Sequence, residues 1–345
     1  MKAPLLLLLA ALAFGTRAAA QHLMPAVIGT LAGERIGYKD ESGAVIIKPL
    51  YEAGEEFSRG LARVRLAGRY GLIDTTGQII VPLKYKDLGY FYDGLAGASL
   101  DGVHYGYINR ANAVAIPFRY QRSTDFSEGT AVVALNDRCL LIDKRGTVLT
   151  PAPSKYLLIE PMQGGIARVV TRDDNREGLA ESHHYGFIDA KGRALCAPTN
   201  YGPDSPNLGN GRAVACVATP DGRPTARRGT APNGTRYTLL LGQGYTYRSM
   251  LLDKTGRVII PASAGYTFGN WGDDYVIVKR GDLIGAVDMA GKLLLPVGFR
   301  DISKFEYGPP GQPLARVTTT ADGKFFYVDQ HWQPTEYDGV KPPEY

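Results

Sequence analysis

Tyr70-Gly71-Leu72-Ile73-Asp74-Thr75-Thr76-Gly77 runs on into Gln78-Ile79-Ile80-Val81-Pro82-Leu83-Lys84-Tyr85, and this stretch decides the fold because the chain keeps repeating it. Tyr185-Gly186-Phe187-Ile188-Asp189 is followed in the same way by Gly192, Pro198 and Tyr201. The frame stands again at Ile36 to Asp40 with Gly43, Pro49 and Tyr51, and at Tyr105 to Asn109 with Pro117 and Tyr120. Asp143, Gly146 and Pro151, then Asp253, Gly256 and Pro261, then Asp288, Gly291 and Pro296 carry its second half, and a worn copy ends at Asp329. Anchored on the Asp or Asn, positions 40, 74, 109, 143, 189, 253, 288 and 329 are 34, 35, 34, 46, 64, 35 and 41 residues apart. The unit is therefore about 34 residues, and the longer gaps are units that carry insertions.

Each unit has a readable physics. An Asp followed three residues later by Gly is a turn: the carboxylate accepts a backbone N–H, and Gly takes the left-handed position. A short strand such as Tyr70–Ile73 precedes it. The run Ile79-Ile80-Val81 follows, apolar enough to predict cover on both faces, and Pro82 is expected to end the pairing because it lacks an N–H. Phe57-Ser58-Arg59-Gly60-Leu61-Ala62-Arg63-Val64-Arg65 alternates apolar and charged residues, as a half-exposed strand does. These features predict an all-β fold of about eight three-stranded units, arranged as a curved open array. A closed β-propeller is the alternative. The open form is preferred because the last copy has lost the Gly and has Trp332 instead, and worn terminal units suit a capped stack.

Composition agrees: 42 Gly, 22 Pro and 21 Tyr suit short strands and tight turns. Residues 1–20 read as a secretory signal, with Lys2, an apolar run from Leu5 to Phe14, and Ala18-Ala19-Ala20 before an expected cleavage after Ala20. Residues 21–345 are then the array, exported to the periplasm, the outer surface or the medium. No later run approaches the length of a membrane-spanning helix. The net charge of +5 falls to about +3 without Lys2 and Arg17, too little for a nucleic-acid partner. Three Cys are an odd number for a disulfide framework. Cys139, Cys196 and Cys216 read as small core residues, with a Cys196–Cys216 pair as the alternative.

The aromatic-Gly-x-Ile-Asp-x-x-Gly frame, with its Pro and Tyr and the downstream Phe-Ser-x-Gly-Leu-Ala block, resembles the WG-repeat family of bacterial proteins, from about Ile28 to Tyr337. The namesake Trp is absent: Ile36, Tyr70, Tyr105, Cys139, Tyr185, Ser249, Ile284 and Phe325 hold its place. Tyr and Phe can fill it as amphipathic plugs. Cys139 and Ser249 cannot, so their units are expected to be looser. The resemblance implies an all-β repeat array and no enzyme activity that could be carried over.

Two stretches break the period, near 171–182 and 218–244. The second is rich in Gly, Pro, Thr and Arg, and from about Pro220 to Gly234 it is expected to be a mobile basic loop, with Tyr237–Leu241 returning as a strand. Its Arg223, Arg227, Arg228 and Arg236 are the candidate binding residues. Arg63, Arg168 and Arg316 of the recurring Ala-Arg-Val form a second candidate set, although Gly97 and Val132 interrupt it and a solvated strand face is the simpler reading. His183 and His184 are adjacent on a strand and so face opposite ways, which disfavours a shared metal. The recurring Asp offers one carboxylate per turn, which is too few for calcium. No catalytic residues, metal ligands or cofactor are expected. The function expected is that of a non-catalytic interaction module at the cell envelope, binding a protein or an envelope glycan. The alternative is a hydrolase-like enzyme with its site in the 218–244 insertion.

Overall fold

The computed structural model describes residues 23–30, 33–172, 183–199, 210–230, 236–272, 274–320 and 323–341. In it the recurring Asp closes its turn in one way throughout. The Asp74 Oδ1 accepts the N–H groups of Thr76 and Gln78, both at 2.9 Å. Asp40, Asn109, Asp143, Asp189, Asp253, Asp288 and Asp329 accept from the residues two and four further on, at 2.8–3.0 Å. Gly77 donates its own N–H back to the Asp74 carbonyl at 2.9 Å, with φ +84°. That left-handed backbone is what selects Gly. Asn112 takes the same place at φ +57° and Trp332 at φ +62°. Asn tolerates such a backbone, whereas for a ring as large as Trp it is a strained position.

The described chain is all-β, with a single 3-10 turn at Ala262–Ala264 and no α-helix. Six antiparallel sheets have three or four strands and one has seven, and neighbours in each sheet are also neighbours in sequence. A full unit consists of Ala53–Gly54, Leu61–Leu66, Arg69–Asp74 and Ile79–Tyr85. Its Leu61–Leu66 strand buries Ala62 and Val64 and leaves Arg63 and Arg65 half-exposed, as the alternation requires. Two-residue turns with both central residues left-handed, such as Arg59-Gly60, Asp93-Gly94 and Glu128-Gly129, open these strands.

Pro82 does not end the pairing. Its strand runs through to Tyr85, and the register slips between Tyr70↔Tyr85 and Leu72↔Val81, so Pro82 lies in a bulge where no ladder N–H is needed. The bulge presses inward on the motif glycine. A Cβ on Gly71 would sit 2.6 Å from the Val81 carbonyl oxygen, and Gly37 and Gly285 face the Ile47 and Leu295 carbonyls at 2.6 and 2.8 Å. The Gly after the aromatic residue and the Pro eleven residues on are therefore two halves of one contact.

The core lies between successive sheets. Leu72, Val81 and Tyr85 of one pack with Leu88, Phe91, Ala96, Ala98 and Ile108 of the next, and Tyr107, Ile116 and Tyr120 repeat the contact with Phe126, Ala131, Val133 and Ile142. Turns also rest on the preceding unit, with Gly77 against Ile47 and Gly146 against Ile116. The expectation that the run after each turn is covered on both faces fails. Val45, Ile79, Val114, Val148, Val258 and Leu293, each five residues after its anchor, are 41–54% exposed. Val45, Ile79, Val114 and Val258 begin edge strands, Val148 forms only a bridge, and Leu293 starts its strand ahead of the part that pairs with Ala315–Thr319, so each has an outer side with no neighbouring strand.

The stretch expected as a mobile loop is paired instead. Arg212–Thr230 and Arg236–Asp253 form one long antiparallel hairpin, irregular between Pro220 and Pro224, and Tyr237–Leu241 returns as a strand. A ladder satisfies backbone groups that a loop would leave to water. The leader 1–20, most of the 171–182 insertion (from residue 173 on) and the side chain of Cys216 lie outside the described residues.

Candidate cleft at the interrupted repeat

The sheet that carries Cys139 lacks the fourth strand of its neighbours. It contains Arg122–Ser123, Thr130–Leu135 and Arg138–Asp143 only. Sequence explains the loss. In the three preceding units residues 36, 70 and 105 face Tyr51, Tyr85 and Tyr120, each fifteen positions on. At the same separation Cys139 faces Ser154, whose hydroxyl donates to the Cys139 carbonyl at 2.6 Å. The motif glycine is replaced by Leu140, and at Gly37, Gly71 and Gly285 even a Cβ would lie 2.6–2.8 Å from a carbonyl oxygen of the bulged strand. Only the Ile142↔Val148 bridge and a Leu149 N–H to Leu141 carbonyl bond of 2.8 Å remain of the fourth strand. Pro151-Ala152-Pro153, with a cis bond before Pro153, then carries the chain away from the sheet edge.

The space left is a cleft of about 660 Å³, within the usual range of small-molecule sites. Leu135 and Leu140 line one side, and Val148 with residues Pro151 to Lys155 line the other. Asn136, Arg138, Ser154 and Thr171 supply the polar groups along with Lys155, and no acidic residue is among the lining set. Arg138 is half-exposed and Lys155 exposed. The looser unit expected at Cys139 is thus an open one, but the opening lies beside Leu140. Cys139 itself turns into the next core, donating its thiol hydrogen to the Leu157 carbonyl at 3.1 Å, and burial pushes that thiol's pKa up. Such a thiol stays protonated and unreactive.

The Ala-Arg-Val arginines are absorbed by the fold. Arg63 pairs with Glu55 at 2.5 Å and lies 5.3 Å over the Tyr70 ring; Arg168 pairs with Glu160 at 2.5 Å and lies 5.5 Å over Tyr185. Arg316 lies between Tyr307 and Phe325, at 5.7 and 5.5 Å. Each guanidinium therefore caps the side chain in the place of the motif Trp, a cation–π contact. Arg227 and Arg228 stand opposite Leu239 and Thr238, Arg236 opposite Thr230, and Arg223 in the irregular stretch of the same hairpin. The side chains of these four lie outside the described residues, as do those of His183 and His184. Asp101 and His104 form an exposed pair at 2.7 Å, but the buried Ser99 hydroxyl contacts Asp101, not the imidazole. Among the described residues no three His, Cys, Asp or Glu side chains gather as metal ligands would. Arg138 and Lys155 were not singled out by sequence; Leu140 and Ser154 in the Gly and Tyr columns were the available signal.

The WG containing repeat family matches residues 36–70, 70–103 and 105–139. Residues 36–139 are WG repeats. The third of these WG repeats ends at Cys139, where Leu140 and Ser154 break the frame and the cleft begins. No curated protein matches the chain. Among solved structures it is similar to a eukaryotic initiation factor at 11% identity, covering 93% of this chain and 97% of that one, with a TM-score of 0.39. It is also similar to the extracellular domain of a putative hybrid two component system from B. thetaiotaomicron, at 8% identity, 92% and 56% coverage and a TM-score of 0.29. PorZ, a surface component of the type-IX secretion system of Porphyromonas gingivalis, is similar at 12% identity, 93% and 46% coverage and a TM-score of 0.28.

Proposed function

We propose that this chain is an exported, non-catalytic binding protein of the cell envelope, built of about eight WG-type units in a curved open array, with the cleft beside Leu140 as its binding seat. The observation that carries this reading is the cleft itself: one unit gives up a strand, and the space left has a mainly apolar wall with two cations. A defect of packing would tend to collapse, since voids cost stability. The two prolines and the Ser154 bond instead hold the far wall away from the strand edge. The first and last sheets do not pair with each other among the described residues, which supports an open array. No helix in the described chain is long and apolar enough to cross a membrane. The cleft brings no nucleophile and base into contact and no two carboxylates together, and this supports a binding role over hydrolysis.

The test uses the full chain and its Ala152→Trp variant, which fills the cleft. Both are presented to immobilised envelope glycans and to envelope extract, with the glycans analysed afterwards for cleavage. Binding by the parent chain that the variant loses is the expected result. Cleaved glycan would overturn the non-catalytic reading, and equal binding by both forms would move the seat elsewhere on the array.

A further inference from the structure

We propose that the cleft takes an organic carboxylate carried on an apolar body, with its anionic end on Arg138 and Lys155. This rests on the reading of the cleft as the binding seat. Some arginines of the fold are neutralised by carboxylates, Arg63 by Glu55, Arg168 by Glu160, Arg193 by Asp189 and Arg257 by Asp253, while others, such as Arg69 and Arg280, bond only carbonyls; what sets Arg138 apart is that it lines a cleft. Arg138 and Lys155 make no ion pair with a described carboxylate, and Asp137, next to Arg138 in the turn, does not line the cleft. Two cations of one sign therefore converge on a space otherwise walled by Leu135, Leu140, Val148 and prolines.

Each half of the lining excludes a ligand class. A small inorganic anion would satisfy the cations but leave the apolar wall in water. A neutral apolar molecule would cover the wall but hold back the solvent that hydrates two charges, a cost that burial imposes on any unpaired ion. A carboxylate offers two oxygens to the planar guanidinium fork, and these charge-assisted bonds are the strong ones. The apolar body then covers Leu140, half-exposed, and Val148, exposed like its counterparts in the other units. The ligand does in this unit what the fourth strand does in the others: it covers an uncovered edge.

Calorimetric titration of the full chain at low salt tests this with three probes: octanoate, octanol and acetate. Octanoate has both features, octanol the body alone and acetate the charge alone. Octanoate should bind at least about tenfold more tightly than either. An Arg138→Gln, Lys155→Gln double variant should lose about tenfold on octanoate and stay within about twofold on octanol. Ala152→Trp should weaken both, with its melting curve showing that it folds. Octanol binding as tightly as octanoate, or a double variant that binds octanoate unchanged, would overturn the ligand class while leaving the cleft as a binding seat. Failure of all three probes to bind would also overturn the ligand class. The glycan and extract experiment then decides the binding seat by itself.

Discussion

The Trp332 indole stands edge-on to the Tyr275 ring, with centroids 4.9 Å apart and planes at 72°, although 57 residues separate them. Phe305 meets the same indole at 5.3 Å, and Trp332 is buried. This ring cluster holds a Trp at φ +62° where seven other turns have Gly or Asn. The last unit thus keeps its turn and gains a core plug. Trp332→Ala should cost about 3–5 kcal/mol, the range for emptying a buried aromatic site. Trp332→Gly should cost less than Trp332→Ala, because Gly relieves the left-handed strain that Ala retains. Thermal melts of the two variants check the order, and the reverse order would show that the backbone there is unstrained.

Gly71→Ala should destabilise by about 1–3 kcal/mol, since the added carbon meets the Val81 carbonyl oxygen at 2.6 Å and the bulge must shift. Gly68→Val is a poor control because its φ is also positive. Gly298→Ala is a better one, with nothing within 4 Å of its Cβ and no left-handed backbone. Urea unfolding of both variants should leave Gly298→Ala near the parent.

Asp74→Asn should be tolerated, because Asn109 already makes the same two bonds at 3.0 Å, whereas Asp74→Ala should cost about 1 kcal/mol for the lost turn bonds. Denaturant midpoints for the two variants separate these outcomes. An Asn variant as weak as the Ala variant would mean that charge, not the acceptor, holds the turn.

Acid should unfold the array through these same carboxylates. Burial disfavours the charged form of Asp253, but bonds from the Thr255 hydroxyl, the Thr255 and Arg257 N–H groups and the Arg257 guanidinium outweigh it and bring the pKa down to about 2. Asp74, Asp143 and Asp189 are lowered too, again against burial, by bonds within their turns. A folded pKa below the unfolded value of about 3.9 contributes stability that is complete above that value and is lost as pH falls through the folded one. Melting temperature should therefore fall between about pH 4 and pH 2. Asp253→Asn should flatten part of that slope, and an unchanged slope would remove Asp253 from the account.

Among the described residues, the distal part of the long hairpin, beyond Pro220 and Tyr245, pairs only with itself. Two-stranded ribbons are marginal in water. Removing residues 221–243 should leave Arg212–Thr219 paired with Thr246–Asp253 and the melting temperature within a few degrees of the parent, since loop closure depends weakly on length. A large loss would show that the ribbon packs on the array.

The anchors were legible because one side chain does one local job: an Asp that bonds the residues two and four ahead needs no tertiary help. Pro82 was misread because its tolerance depends on a residue eleven positions earlier, the glycine that admits the bulge. Ile79 and its counterparts were misread for a related reason. Apolar content predicts burial, but only sheet order reveals that a strand such as Ile79–Tyr85 lies at an outer edge. The cleft needs both halves of the frame to be compared at once, Leu140 for Gly and Ser154 for Tyr, while the missing Trp marks Cys139 and Ser249 alike.

Because every sheet among the described residues joins only strands that follow one another in the chain, none of these sheets waits on a distant strand before it can form. Barrels and sandwiches fold slowly because far-apart strands must meet before the cost of closing the loop is recovered. Here each closure is short, so the molecule can assemble from any finished unit outward, like a zip with many starting teeth. The interrupted unit is the exception. With fewer ladder bonds on its outer edge it is the place where such spreading should pause, and where an emerging chain would stay open longest.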